Sequence, residues 1–172
     1  MAKRRMKAAD ALELAIEREK GAARFYSQAA SRVKDANGKS MFRWLAKEES
    51  RHMAKLRQQL KSVTDSNRWI EWRRAHGPIR RDEFPSMSEA TGEVKADAGE
   101  LDALRQAIGS EKDAIGFYRE AEESTPDLNG KAMFKALARE EEGHLELLEE
   151  EFKWLSQHRK YFTVHRFELR PR

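Results

Sequence analysis

Apolar residues recur every three or four positions along most of this chain. Leu12, Ala15, Glu19, Ala22, Tyr26, Ala29 and Val33 keep to one face of a helix, and Phe42, Leu45, Glu49, His52, Leu56 and Leu60 do so again. Two later stretches follow the same rhythm. Leu104, Ala107, Glu111, Ala114, Tyr118 and Ala121 form one stripe, and Phe134, Leu137, Glu141, His144, Leu148 and Phe152 form the other. Breaks fall at Asp35-Ala36-Asn37-Gly38 and at Thr125-Pro126-Asp127-Leu128-Asn129-Gly130, where Asp, Asn, Gly and Pro favour turns over helix. The pattern therefore predicts two helix-turn-helix units.

The units are copies of one another. At an offset of 92 residues, Ala15 to Leu60 aligns without a gap on Ala107 to Phe152, and 20 of the 46 positions are identical. Glu19 pairs with Glu111, Tyr26 with Tyr118, Asn37-Gly38-Lys39 with Asn129-Gly130-Lys131, and Glu48, Glu49 and His52 with Glu140, Glu141 and His144. The stretch between the units is too long for a tight turn. A helix of about 25 residues runs close to 40 Å, and about a dozen extended residues cover that distance. The linker can thus return along the bundle and set helix 3 parallel to helix 2. The expected fold is all-α: a single four-helix bundle over 1–172 with a long crossover between helices 2 and 3. Its parts are hairpin 1 at about 8–62, the crossover at about 63–97, hairpin 2 at about 98–157, and a basic C-terminal tail at 158–172. Trp69, Ile70 and Trp72 are expected to pack as a short helix or cap on the bundle.

Composition narrows the chemistry. With 37% charged residues, four prolines and much Ala, Glu, Lys, Arg and Leu, the chain has the profile of long amphipathic helices. It has no cysteine, which excludes disulfides, thiolate zinc sites and iron-sulfur clusters. Any metal must be bound through oxygen and imidazole nitrogen. No run approaches the roughly 20 apolar residues of a membrane span, and the basic N-terminus leads into a charged helix pattern, so a cytoplasmic protein is expected. The net charge of +4 gathers in Lys3 to Lys7, Arg68 to Arg81 and Arg159 to Arg172. None of these runs sits in a binding motif, so neither a membrane nor a nucleic-acid partner is expected.

Carboxylates and imidazoles stand on the apolar seams. Glu19, Glu49, His52, Glu111, Glu141 and His144 hold core-facing positions, flanked a turn away by Ala, Leu or Tyr. An unpaired buried carboxylate costs several kcal/mol, and four together also repel one another. Two divalent cations would neutralise them. Residues three apart project from one helix face, so Glu49 with His52, and Glu141 with His144, can each converge on one ion. Glu19 and His52 are equally far from the first turn, so the ligands of a unit lie at one level and the duplication supplies the rest. Tyr26 and Tyr118, two turns beyond Glu19 and Glu111, either hydrogen-bond the ligand carboxylates or simply fill the core. Glu13, Glu17, Glu48 and Glu140 are expected to face solvent, with Glu17 the substitute for Glu19 if the register is shifted. His76, His158 and His165 have no repeat partners and read as structural or exposed.

These residues resemble the ferritin-like superfamily and, within it, the rubrerythrin-like proteins. The likeness runs over Ala15 to Leu60 and Ala107 to Phe152, on Ala15-Ile16-Glu17-Arg18-Glu19, Phe25-Tyr26, Glu49-x-x-His52 and their repeats. The resemblance implies two iron ions, bridged by Glu49 and Glu141, with Glu19 and Glu111 as terminal ligands and one imidazole on each; manganese or zinc would also suit the donors. Rubrerythrins carry a further carboxylate one turn after the helix 3 ligand, where this chain has Ala114, so the expected site is more symmetric and nearer bacterioferritin. They also carry a cysteine-ligated rubredoxin domain, which a chain without cysteine cannot supply. The implied activity is reduction of hydrogen peroxide, or ferrous oxidation by dioxygen, with electrons from a separate donor protein. The alternatives are iron storage without turnover and a structural bundle around a non-redox metal. A homodimer or larger homo-oligomer is expected.

Overall fold

A computed structural model describes residues 7–71 and 98–168, the side chains of Ala98 and of 158–168 aside. Four helices make up the described chain: α1 Ala8–Arg32, α2 Ala36–Ser66, α3 Ala98–Ser124 and α4 Leu128–Glu168. The α1–α2 turn is tighter than the sequence suggests. Asp35 caps α2, its Oδ2 accepting from the Gly38 N–H at 2.8 Å, so Ala36, Asn37 and Gly38 already belong to the first helical turn. Asp127 repeats the device, accepting from Asn129 and Gly130 at 2.8 and 3.0 Å. α2 ends at Asn67, which takes the left-handed conformation at φ 53° and closes the last turn onto Val63. α4 continues to Glu168, through most of the stretch expected as a basic tail.

α1 packs on α2 and α3 on α4, giving two hairpins, as the ferritin-like bundle expectation requires. The contacts between the hairpins fix their direction. Tyr26 meets Glu111 while Tyr118 meets Glu19, so α1 and α3 are antiparallel. α2 is then parallel to α3, and the two turns lie at opposite ends of the bundle. The core accordingly forms two apolar clusters. One joins Leu12, Leu56, Tyr118, Phe134 and Leu137; the other joins Tyr26, Phe42, Leu45, Leu104 and Leu148. A layer of buried Glu and His separates them.

The start of the crossover caps one end. Gln59 donates to the Ile70 carbonyl at 2.6 Å and accepts its N–H at 2.9 Å, which lays Trp69 edge-on against Phe134 at 5.8 Å. Trp69 is thus a cap in irregular chain. Ile70 does not pack with it, because its backbone is held by Gln59 and its side chain is 45% exposed. Trp72 and His76 lie outside the described residues, as do the side chains of His158 and His165.

The indole also rests on Gly130, where an added Cβ would stand 2.6 Å from Thr125 Cγ2 and 2.9 Å from Trp69 Cε2. Gly130→Ala is therefore expected to lower stability by about 1–3 kcal/mol through overpacking. Gly116→Ala, in open space on α3, should raise it by up to about 1 kcal/mol through helix propensity alone. Thermal melts of the two variants check the opposite signs.

Two buried carboxylates near the opposite end escaped the sequence reading. Glu100 at the start of α3 and Glu151 on α4 are both buried, close to the capping Asp35, with Glu100 Oε1 2.7 Å from where a Gly38 Cβ would be. Burial pushes the Glu151 carboxyl up to about 7, helped by the charges of Asp35 and Glu100. The folded protein thus holds a proton that the unfolded chain releases near pH 4.5, and this contribution to stability is lost as pH rises from about 4.5 through 7. Glu151→Gln is expected to be the more stable protein at pH 8, by about 2 kcal/mol, and to match the parent at pH 4.5. Paired urea titrations at the two pH values test this.

Candidate metal centre

All six residues expected as ligands are buried in the layer between the apolar clusters. They form two overlapping groups, Glu19-Glu49-His52-Glu141 and Glu49-Glu111-Glu141-His144, in each of which one ligand atom per residue lies within 4.8 Å of the others. Glu49 and Glu141 belong to both. Glu49 Oε2 is 3.3 Å from His52 Nδ1 and its Oε1 is 3.1 Å from His144 Nδ1. Glu141 divides its oxygens in the same way, Oε1 at 3.3 Å from His52 and Oε2 at 2.8 Å from His144. Glu19 Oε2 lies 3.6 Å from His52 Nδ1, and Glu111 Oε1 lies 3.9 Å from His144 Nδ1. The imidazoles stack at 5.7 Å.

These atoms are close without being hydrogen-bonded. Both Nδ1 atoms, both Glu141 oxygens and Glu49 Oε1 are buried with no hydrogen-bond partner. Buried polar atoms are nearly always satisfied, so donors gathered around shared points and not bonded to one another fit a cation at each point. Oxygen and imidazole donors of this kind suit iron, manganese or zinc.

The electrostatics show what such charge costs without a cation. Burial raises the Glu19 and Glu111 carboxyls, the latter to about 9, and the neighbouring Glu49 and Glu141 carboxylates add to it. Burial acts the same way on Glu49 and Glu141 but is outweighed: Glu19 first and then the two imidazoles hold Glu49 below the ordinary range, and the imidazoles do so for Glu141. His52 and His144 are raised against their own burial by the carboxylates facing them. The shifts oppose one another across the layer: Glu19 and Glu111 are pushed toward the neutral form, and Glu49, Glu141 and both imidazoles toward the charged one.

Both tyrosines serve the layer. The Tyr26 hydroxyl donates to Glu111 Oε1 and the Tyr118 hydroxyl to Glu19 Oε1. Each supports the carboxylate of the other hairpin, because antiparallel packing brings a residue two turns beyond one Glu opposite its counterpart. Phe42 and Phe134 stack behind the two rings.

Two solvent expectations fail. Glu140 is half-buried, and its Oε2 accepts from His52 Nε2 at 2.7 Å. Glu48 is buried and pairs with Arg51. Both precede a residue of the cluster by one position; Glu140 reaches across to α2, and Glu48 stays with Arg51 of its own helix. Glu13 and Glu17 are exposed as expected, and Glu17 does not replace Glu19.

A cleft of about 280 Å³ opens on the layer between α1 and α3. Its floor is Glu19, Glu49, Glu111 and Glu141; small residues Gly21, Ala22 and Ala114 widen it, and Glu17, Arg18 and Ser110 stand at its walls. Arg18 is held over the Phe117 ring at 5.1 Å.

Fold and centre together define a ferritin-like bundle with a buried carboxylate-histidine cluster compatible with a di-iron site. The rubrerythrin family model matches residues 10–83 and 102–169, and the chain belongs to that family. Comparison with curated proteins found no relative. A solved structure of a hypothetical protein from Pyrococcus furiosus is 28% identical, with a TM-score of 0.67, over 88% of this chain and 92% of that one. A two-domain protein from Anabaena variabilis, with DJ-1/ThiJ/PfpI-like and ferritin-like domains, matches at 16% identity and a TM-score of 0.60, over 84% of this chain and 38% of that one. This second likeness shows the fold alone.

Proposed function

We propose that the protein is a non-haem di-iron oxidoreductase that reduces hydrogen peroxide, with ferrous oxidation by dioxygen as the closely related reaction. One observation carries the reading: Glu49 and Glu141 each present a different oxygen to His52 and to His144, as carboxylates shared by two ions must. In this reading Glu49 and Glu141 hold both ions, Glu19 and His52 complete one position, and Glu111 and His144 the other. Two ferrous ions held there would supply two electrons at adjacent points, which with two protons convert one peroxide to two waters.

The protein's own groups do the rest. Tyr26 and Tyr118 fix Glu111 and Glu19 in place and keep a hydroxyl proton at the edge of the layer. The apolar clusters on either side keep bulk water from the layer, so access is through the α1–α3 cleft. Ala114 stands there with no charge of its own, leaving room for a small oxidant beside Glu111. In this reading a separate donor protein supplies the electrons, these 172 residues having no cysteine to hold an iron-sulfur or rubredoxin centre. No helix among the described residues is long and apolar enough to cross a membrane. A reducing cytoplasm is the setting that suits a ferrous resting state.

The test is an anaerobic one. Protein loaded with ferrous iron should consume about one peroxide per two irons, with a rise in near-ultraviolet absorbance that a reductant reverses. Oxidation by dioxygen at a comparable rate, with peroxide ignored, would favour the ferroxidase reaction; iron that neither oxidant changes would refute both.

A further inference from the structure

The two halves of the layer come from a duplication, yet they are not backed alike. His52 Nε2 donates to Glu140 Oε2 at 2.7 Å across the α2–α4 contact, and Lys55 stands close to that carboxylate. The equivalent arrangement would bring Glu48 to His144. Glu48 turns instead to Arg51 on its own helix, and the His144 ring meets Trp44 edge-on at 5.5 Å. The repeat explains the difference. Arg51 and Trp44 correspond to Gly143 and Ala136, so the second hairpin has no cation at the position from which Arg51 holds Glu48.

Resting on the two-metal reading above, we infer that Glu140 is a positioning residue which makes the ion position of Glu19 and His52 the tighter of the two, so that the centre fills in order. A carboxylate that takes the Nε2 proton fixes the tautomer, leaves the Nδ1 lone pair facing the ion and makes the imidazole a stronger donor. Among the described residues no carboxylate takes that place behind His144.

NMR of bound cadmium, with Cd²⁺ as the probe, reads the two positions separately and needs no turnover. Loss of a resonance in His52→Ala or in His144→Ala assigns each one. At one equivalent of Cd²⁺ the wild-type protein should show mainly the resonance that His52→Ala removes, the second growing in toward two equivalents. Glu140→Gln should weaken that first position by about 10–100-fold, so that the other resonance dominates at one equivalent. Glu48→Gln should leave the order unchanged, and Glu140→Asp should restore it in part. Equal resonances in the half-loaded wild type, or the same change in Glu140→Gln and Glu48→Gln, would overturn the inference. Failure of the wild type to take up two Cd²⁺ would strike at the two-metal reading itself.

Discussion

Replacing Glu49 and Glu141 together by Gln should abolish the binding of both metal ions, with affinity at each position falling by at least about a thousandfold. Each carboxylate faces both imidazoles, so the pair supplies half of the negative charge at both positions. Without them two dications would be set against Glu19 and Glu111 alone, leaving net positive charge in a layer that is almost fully buried. Several kcal/mol of uncompensated burial follows, which is the stated loss in affinity. Replacing His52 or His144 by Ala should act differently, weakening mainly one position. The amides keep the shape of the carboxylates, and the imidazoles can shed their protons once the facing charges are gone, so the metal-free variant should still be helical by circular dichroism. Metal content after dialysis, together with calorimetric titration, decides the matter. A double variant that retains two ions would refute the ligand assignment.

Loading the protein with two divalent ions should raise its melting temperature by about 15 °C or more, and a chelator should reverse the change. An ion present at a thousand times its dissociation constant stabilises the fold by about 4 kcal/mol, and each kcal/mol shifts a domain of this size by about 2–4 °C. Binding should also release protons. In the metal-free layer Glu19, Glu111, His52 and His144 are all shifted toward their protonated forms, and an ion favours the deprotonated form of each. Protons should therefore be displaced on loading, and affinity should fall as the solution is acidified. Calorimetry in buffers of different ionisation enthalpy counts the protons. A loading that displaces none, or leaves the melting temperature unmoved, would mean the ions bind elsewhere.

The two hairpins and the position of the buried layer could be read from the chain because duplication made each signal appear twice. A single Glu-x-x-His on a charged helix carries little weight, whereas two of them at a common offset with a Glu on a partner helix define a level in the bundle. Glu48 and Glu140 were misread because they sit one residue from the seam. Whether such a position faces water depends on how closely α2 and α4 approach, which no pattern along one helix records. Glu151 could have been found: it lies seven residues beyond His144 on the same face, as its repeat partner Gln59 lies beyond His52. The cross-support of Glu19 by Tyr118 and of Glu111 by Tyr26 followed only from the antiparallel packing of α1 on α3.

Among the described residues the two donor clusters of this layer are drawn from the helices, and neither hairpin alone completes one, since Glu49 and Glu141 come from different halves. The link between Ser66 and Ala98 keeps the two halves in one chain, raising the effective concentration of one half at the other. A protein nicked within that link would still own a full complement of ligands, its two pieces riveted together by whatever ions they shared, and one such hairpin, met by its own twin, would already have possessed the rudiments of the site before any gene was doubled.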